Sequence, residues 1–162
     1  MDEHPSASAA QAAAESELIR TASVTLGAPL ERRRLRLPGG GVVELDGFNP
    51  EQRIACEAFA RIGPLKAGQK RKLGNDILKL LLLERRMGGQ WRKILVLAGE
   101  QALASLSRGS WQAQAVVEFG VEILLIRLDE AAVAGIQTAQ TRQVMINPAA
   151  SVPATGTSSA DN

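Results

Sequence analysis

Between residues 31 and 62 apolar and polar side chains alternate at the period of a strand, and from 69 to 86 the period becomes that of a helix. ERRRLRL at 31–37 alternates basic and apolar residues toward its end, PGGG at 38–41 punctuates it, and VVELD at 42–46 is a β-branched run. This pattern predicts a hairpin. GFNPEQ reads as a second turn and RIACEAFARI at 53–62 as a third strand. GPLKAG at 63–68 breaks the chain before a helix over 69–86, whose Leu73, Ile77, Leu80 and Leu81 form the stripe that faces a core. RKILVLA at 92–98 is a continuous apolar run of the kind buried on both faces of a sheet. Helical segments over 100–107 and 110–119, a strand at 121–128 and a short helix near 129–140 follow. Ahead of the hairpin, AAQAAAESELIR at 9–20 holds strong helix formers and no breaker.

The order α-β-β-β-α-β-α-β-α predicts an α/β or α+β domain with a mixed sheet, because an antiparallel meander feeds a helix and then a parallel strand. A doubly wound fold would need a helix between the early strands, and there is no room for one. The 162 residues suffice for one domain with a real core, assigned to 9–147. Residues 1–8 and 148–162, rich in Ser, Ala, Thr and Pro, read as disordered tails. No run approaches the roughly 18–20 apolar residues that span a bilayer. The acidic, polar MDEHPSAS does not resemble a signal peptide. With Cys56 the only cysteine, the expected setting is the cytoplasm, with no membrane partner. The only histidine is His4, in the N-terminal tail, which argues against a Ser-His-Asp triad and a multi-histidine zinc site.

Candidate chemistry comes from the acids. In the third strand Ile54, Cys56, Ala58, Ala60 and Ile62 share one face, and Ala55, Glu57, Phe59 and Arg61 the other. Cys56 therefore reads as a small buried hydrophobe. Glu44 and Asp46 share a face opposite Val43 and Leu45. Carboxylates among such apolar neighbours are costly unless paired, solvated or bound to a cation, which points to a divalent-metal site. Charge sharpens the picture. Residues 31–93 hold 15 of the 19 Lys and Arg but only 7 of the 17 Asp and Glu, a net +8, while the rest carries −6. A basic surplus around a few acids suits a polyanion-binding surface.

ELDG at 44–47 and CEAFA at 56–60 resemble the motif of the PD-(D/E)XK nuclease superfamily, the restriction-endonuclease-like fold with an αβββαβ core. The matching region covers about residues 9–98, leaving an extra C-terminal helix-strand-helix. The resemblance implies that Asp46 and Glu57, on neighbouring strands, ligate Mg²⁺ for cleavage of DNA phosphodiester bonds. The family's lysine would stand two residues after the second acid, where this chain has Phe59. Some relatives recruit a lysine from the following helix, and Lys72 is the first choice here, with Arg61 a second for phosphate contact. The expected catalytic set is Asp46, Glu57 and Lys72. Arg61, Lys66, Gln69, Lys70, Arg71 and Lys79 are expected at the nucleic acid. Two function classes follow: a Mg²⁺-dependent endonuclease, acting as a homodimer if it cuts both strands, or a non-catalytic module that binds nucleic acid or protein. Phe59 favours the second.

Overall fold

A computed structural model of the chain describes residues 7–106 and 109–146. Of the expected tails, residues 1–6 and 148–162 lie outside the described residues, whereas Ala7 and Ser8 already belong to the first helix. In chain order the elements are α1 (Ala7–Leu26), β1 (Glu31–Arg36), β2 (Val42–Asn49), β3 (Ile54–Phe59) and α2 (Ala67–Met87). They continue with β4 (Arg92–Leu97), α3 (Glu100–Leu106), α4 (Trp111–Glu118), β5 (Val121–Leu125) and α5 (Glu130–Ile146). The five strands lie in the order β1-β2-β3-β4-β5, antiparallel across the first three and parallel from β3 to β5. The mixed α/β architecture expected from the residue pattern is present.

Helices cover both faces of the sheet. On one, Leu73, Ile77, Leu80 and Leu83 of α2 pack with Phe59, Leu95 and Leu97, joined by Leu106 of α3 and Val116 of α4. On the other, Leu18, Ile19 and Ala22 of α1 and Ile136 of α5 cover Cys56, Ala58, Ile94 and Val96. β3 and β4 are therefore buried on both faces, which is why their sequences run nearly unbroken in apolar residues. Leu80 is fully buried, and Leu80→Ala should cost about 2–5 kcal/mol, read from urea denaturation midpoints.

Several element bounds differ from the sequence reading for identifiable reasons. β2 continues through Phe48 and Asn49, which pair with Ala55 and Ile54. Asn49 then closes the turn with its own amide: Nδ2 donates to Pro29 O at 2.9 Å and Oδ1 accepts from Gln52 N at 2.9 Å. β3 ends at Phe59, because Arg61 N turns back to donate to Phe59 O. On α2 the buried stripe takes Leu83 in place of Leu81, which is only half-buried. The hairpin tip behaves as expected. Gly39, Gly40 and Gly41 all have positive φ, and Leu37 N donates to Gly41 O at 3.0 Å.

One irregularity positions the site. Between the pairs Glu31–Phe48 and Arg33–Leu45, β2 holds one residue more than β1. This bulge falls at Asp46–Gly47, so that Leu45 and Phe48, three apart, both enter the α2-side core. Strict alternation would have put Phe48 on the face of Glu44 and Asp46; the bulge turns it to the α2-side core, while Asp46 stays beside Arg32 and α1. At Gly47 an added Cβ would lie 3.1 Å from both Cys56 Cβ and Ile19 Cδ1, so a side chain there would push against α1.

Candidate functional site

Glu57 lies at the centre of the sheet, 3% exposed, facing α2. It occupies the non-Cys56 face of β3 because the strand alternates, and burial on that face follows from the Leu stripe of α2. Lys79 Nζ lies 2.7 Å from Glu57 Oε1. Oε1 is thus sealed from solvent in charge contact with an ammonium. Burial pushes the Glu57 pKa up to about 8; the Lys79 ammonium opposes the shift and the Asp46 charge reinforces it.

Asp46 is half-buried at the bulge, and its Oδ2 accepts from Ala58 N at 3.0 Å across the β2–β3 pair. Asp76, one helix turn before Lys79, is 5% exposed and ion-paired with Lys72 at 3.4 Å and with Lys79 at 3.6 Å. Burial raises its pKa as well, against both lysines. Glu15 reaches in from α1, 3.8 Å from Lys72 Nζ, its pKa also raised by burial. The Asp46 charge acts on Glu15, Glu57 and Asp76 alike. Burial works against the charge on Lys79, but Glu57, then Asp76 and Asp46, outweigh it and hold its pKa above the ordinary value. Below about pH 8 Glu57 takes a proton, and its support for that charge fades.

The expected lysine is in a different place. Lys79, expected among the nucleic-acid contacts, holds Glu57; Lys72 lies one helix turn before Asp76, paired with it and Glu15 and 5.3 Å from the Phe59 ring centroid. Lys72 was expected to sit nearer the acids because α2 starts near the strand end, but the helix crosses β3 so that its middle meets Glu57. Arg61, expected on the Glu57 face, instead lies beyond the end of β3, half-buried, in a separate cavity with Ile62, Lys66, Gln101 and Gln140. Burial lowers its pKa. Gln69 Oε1 is committed to Lys66 N at 2.7 Å, where it caps the start of α2. Lys66 and Arg71 are exposed and Lys70 half-exposed, and among the described residues none of the three has an acidic partner. Cys56, buried with its pKa pushed up to about 12, is an inert core thiol.

Asp76 was not among the expected site residues, yet it is buried beside Lys79. The signal was in the spacing: it is i+3 from Leu73 and i−4 from Leu80, which puts it on the face those leucines bury. The lysines at 72 and 79 flank that face and do not oppose it.

Taken together, four carboxylates (Glu15, Asp46, Glu57, Asp76) lie around two ammonium groups (Lys72, Lys79). Among the described residues no three of His, Cys, Asp and Glu are gathered as tightly as a metal requires. A cation here would rest on Asp46 and Glu57 and keep water in its other positions. That donor set fits Mg²⁺, which dehydrates reluctantly and is commonly held by one or two carboxylates. No protein-family model, curated protein or solved structure matches the chain. Among the described residues no helix is long and apolar enough to cross a membrane.

Proposed function

We infer that the protein is a metal-dependent nuclease of the PD-(D/E)XK kind, acting on DNA in the cytoplasm, with a second copy needed where both strands are cut. The observation that carries this reading is Glu57: a buried carboxylate with a raised pKa, next to a second carboxylate on the neighbouring strand. A group so costly to bury is of the kind that functional sites retain. Asp46 and Glu57 would hold the divalent cation, which when bound lowers the pKa of a ligated water and neutralises charge on the scissile phosphate. Lys79, Lys72 and the half-exposed Lys70 keep positive charge where a phosphate would approach. Ala58 N fixes one oxygen of Asp46.

A second reading has its own observation. Lys79 already lies on Glu57, and Phe59 stands where the motif lysine would be, so the cluster also suits a non-catalytic module whose acids are neutralised internally. Supercoiled plasmid incubated with purified protein and Mg²⁺ separates them. Nicking that EDTA stops and Asp46→Ala abolishes is the expected result. Salt-sensitive DNA binding with no nicking would transfer the protein to the second class.

A further inference from the structure

Two of the acids, Glu15 and Asp46, line a cleft of about 400 Å³ between α1 and the β1–β2 hairpin, together with Arg20 and Arg32 among others. Arg32 marks one end of a row. β1 is an edge strand, bonded only to β2, and Glu31 to Arg34 and Arg36 are exposed on it. Arg34 and Arg36 stand across from Glu44 and Val42, on the sheet face away from Leu35 and Leu37, which turn to the α2-side core. Side chains two apart on a strand repeat about every 6.6–6.8 Å. Arg32, Arg34 and Arg36 therefore step from the cleft to the hairpin tip.

Their partners are unequal. Arg32 holds Glu44 at 2.8 Å and Arg33 holds Glu31 at 3.1 Å. Among the described residues Arg34 and Arg36 have no acidic partner. Glu44, the one acid across from the row, is already engaged. At the tip, Arg86 of α2 packs against Gly39, so that positive charge continues around the turn. Charged side chains also keep an edge strand from pairing with another chain. That role asks for charge but not for a row of it along one face. Guanidinium groups at regular intervals, two of them unpaired, match a ligand that repeats a negative charge along a line. A nucleic-acid backbone is such a ligand.

We propose that Arg32, Arg34 and Arg36 form a track for the phosphodiester backbone of DNA, running along the edge strand into the cleft at Asp46. The identity of the polyanion rests on the nuclease reading; the track itself rests on the geometry of β1. The track supplies positioning contacts and no base readout, so its signature is salt dependence.

The test uses a short fluorescein-labelled DNA duplex in EDTA, with binding followed by anisotropy over a series of KCl concentrations. Arg34→Gln/Arg36→Gln should reduce the slope of log K against log salt by about two, since each phosphate neutralised contributes about −0.9. Arg34→Lys/Arg36→Lys should keep the wild-type slope. Both variants change exposed, unpaired residues, and equal melting temperatures will confirm that each is folded. An unchanged slope in the glutamine variant overturns the track, even where wild-type protein nicks plasmid with Mg²⁺. A flattened slope in a protein that never nicks DNA supports the track and removes the nuclease. Absence of duplex binding by the wild type overturns both. Binding to phosphatidylserine vesicles in place of the duplex would assign the arginines to a lipid surface and overturn the proposal.

Discussion

Replacing Glu57 with glutamine is expected to stabilise the protein at about pH 9 in metal-free buffer and to change its stability little at about pH 5. The folded protein keeps a proton on Glu57 up to about pH 8, while the unfolded chain releases it near 4.5. Between those values the folded state binds the extra proton, so stability falls as pH rises and levels off above about 8. At about 1.4 kcal/mol per pH unit, the interval from 4.5 to about 8 gives an upper bound of roughly 5 kcal/mol. Glutamine mimics the protonated acid and does not titrate, so the difference between variant and wild type should open across that window. Asp76, with its pKa also raised by burial, adds a slope of the same sign to both proteins and cancels in the comparison. Urea titrations at several pH values read the difference directly. A gap that is the same at both ends of the window would mean that Glu57 does not carry the proton its burial requires.

Lys79→Met tests the other half of the pair. Removing one partner of a buried ion pair costs about 3–5 kcal/mol when the remaining charge is trapped. Here the carboxyl can take up a proton, and that caps the loss. Near neutral pH the variant should lose little beyond the contact with Asp76 and the hydrogen bond from Lys79 Nζ to Glu44 O. Above about pH 8 the wild type ionises Glu57 against Lys79, whereas the variant must keep it neutral. The cost should then grow by about 1.4 kcal/mol per pH unit, nearing 3 kcal/mol at about pH 10. Adding Glu57→Gln to Lys79→Met should remove that growth, because no group is left to titrate. The three variants and the wild type together form a double-mutant cycle whose coupling energy rises with pH. A pH-independent cost would show that Lys79 serves as packing and not as a counter-charge.

How much of this was legible beforehand depends on whether periodicity governs the residue. The alternation in β3 announced that Glu57 would leave Cys56 for the opposite face, and it does. The Leu73–Ile77–Leu80 stripe announced which side of α2 is buried. Asp46 was legible as an acid beside β3, but the bulge that sets its bond to Ala58 N was not, because a bulge has no period: it appears only once Leu45 and Phe48 are both seen in the core. The choice between Lys72 and Lys79 was not legible at all. It depends on where along its length α2 crosses the sheet, a tertiary quantity set by Leu73, Leu80 and Leu83 against Phe59 and Leu95. Arg61 was misassigned because the strand was read three residues too long, and a turn at Phe59 carries its side chain to another cavity.

The last helix of the sheet's α1 face also governs when the fold can close. Ile136 of α5 completes the cover over Ile94, Val96 and Ile126, and Gln140 grips both backbone atoms of Ile62, accepting from its N and donating to its O, each at 3.1 Å. A nascent chain that has emerged only as far as β5 has all five strands and α2 in hand, yet one side of its central strands is still partly open. Helix α1 can pack on β2, β3 and β4 as soon as they form, and the cover is complete only when α5 joins it. The antiparallel hairpins can form before then, while the parallel centre stays vulnerable to chaperone capture or misassociation. The docking of α5 therefore sets how long the apolar side of this protein remains in view of its neighbours.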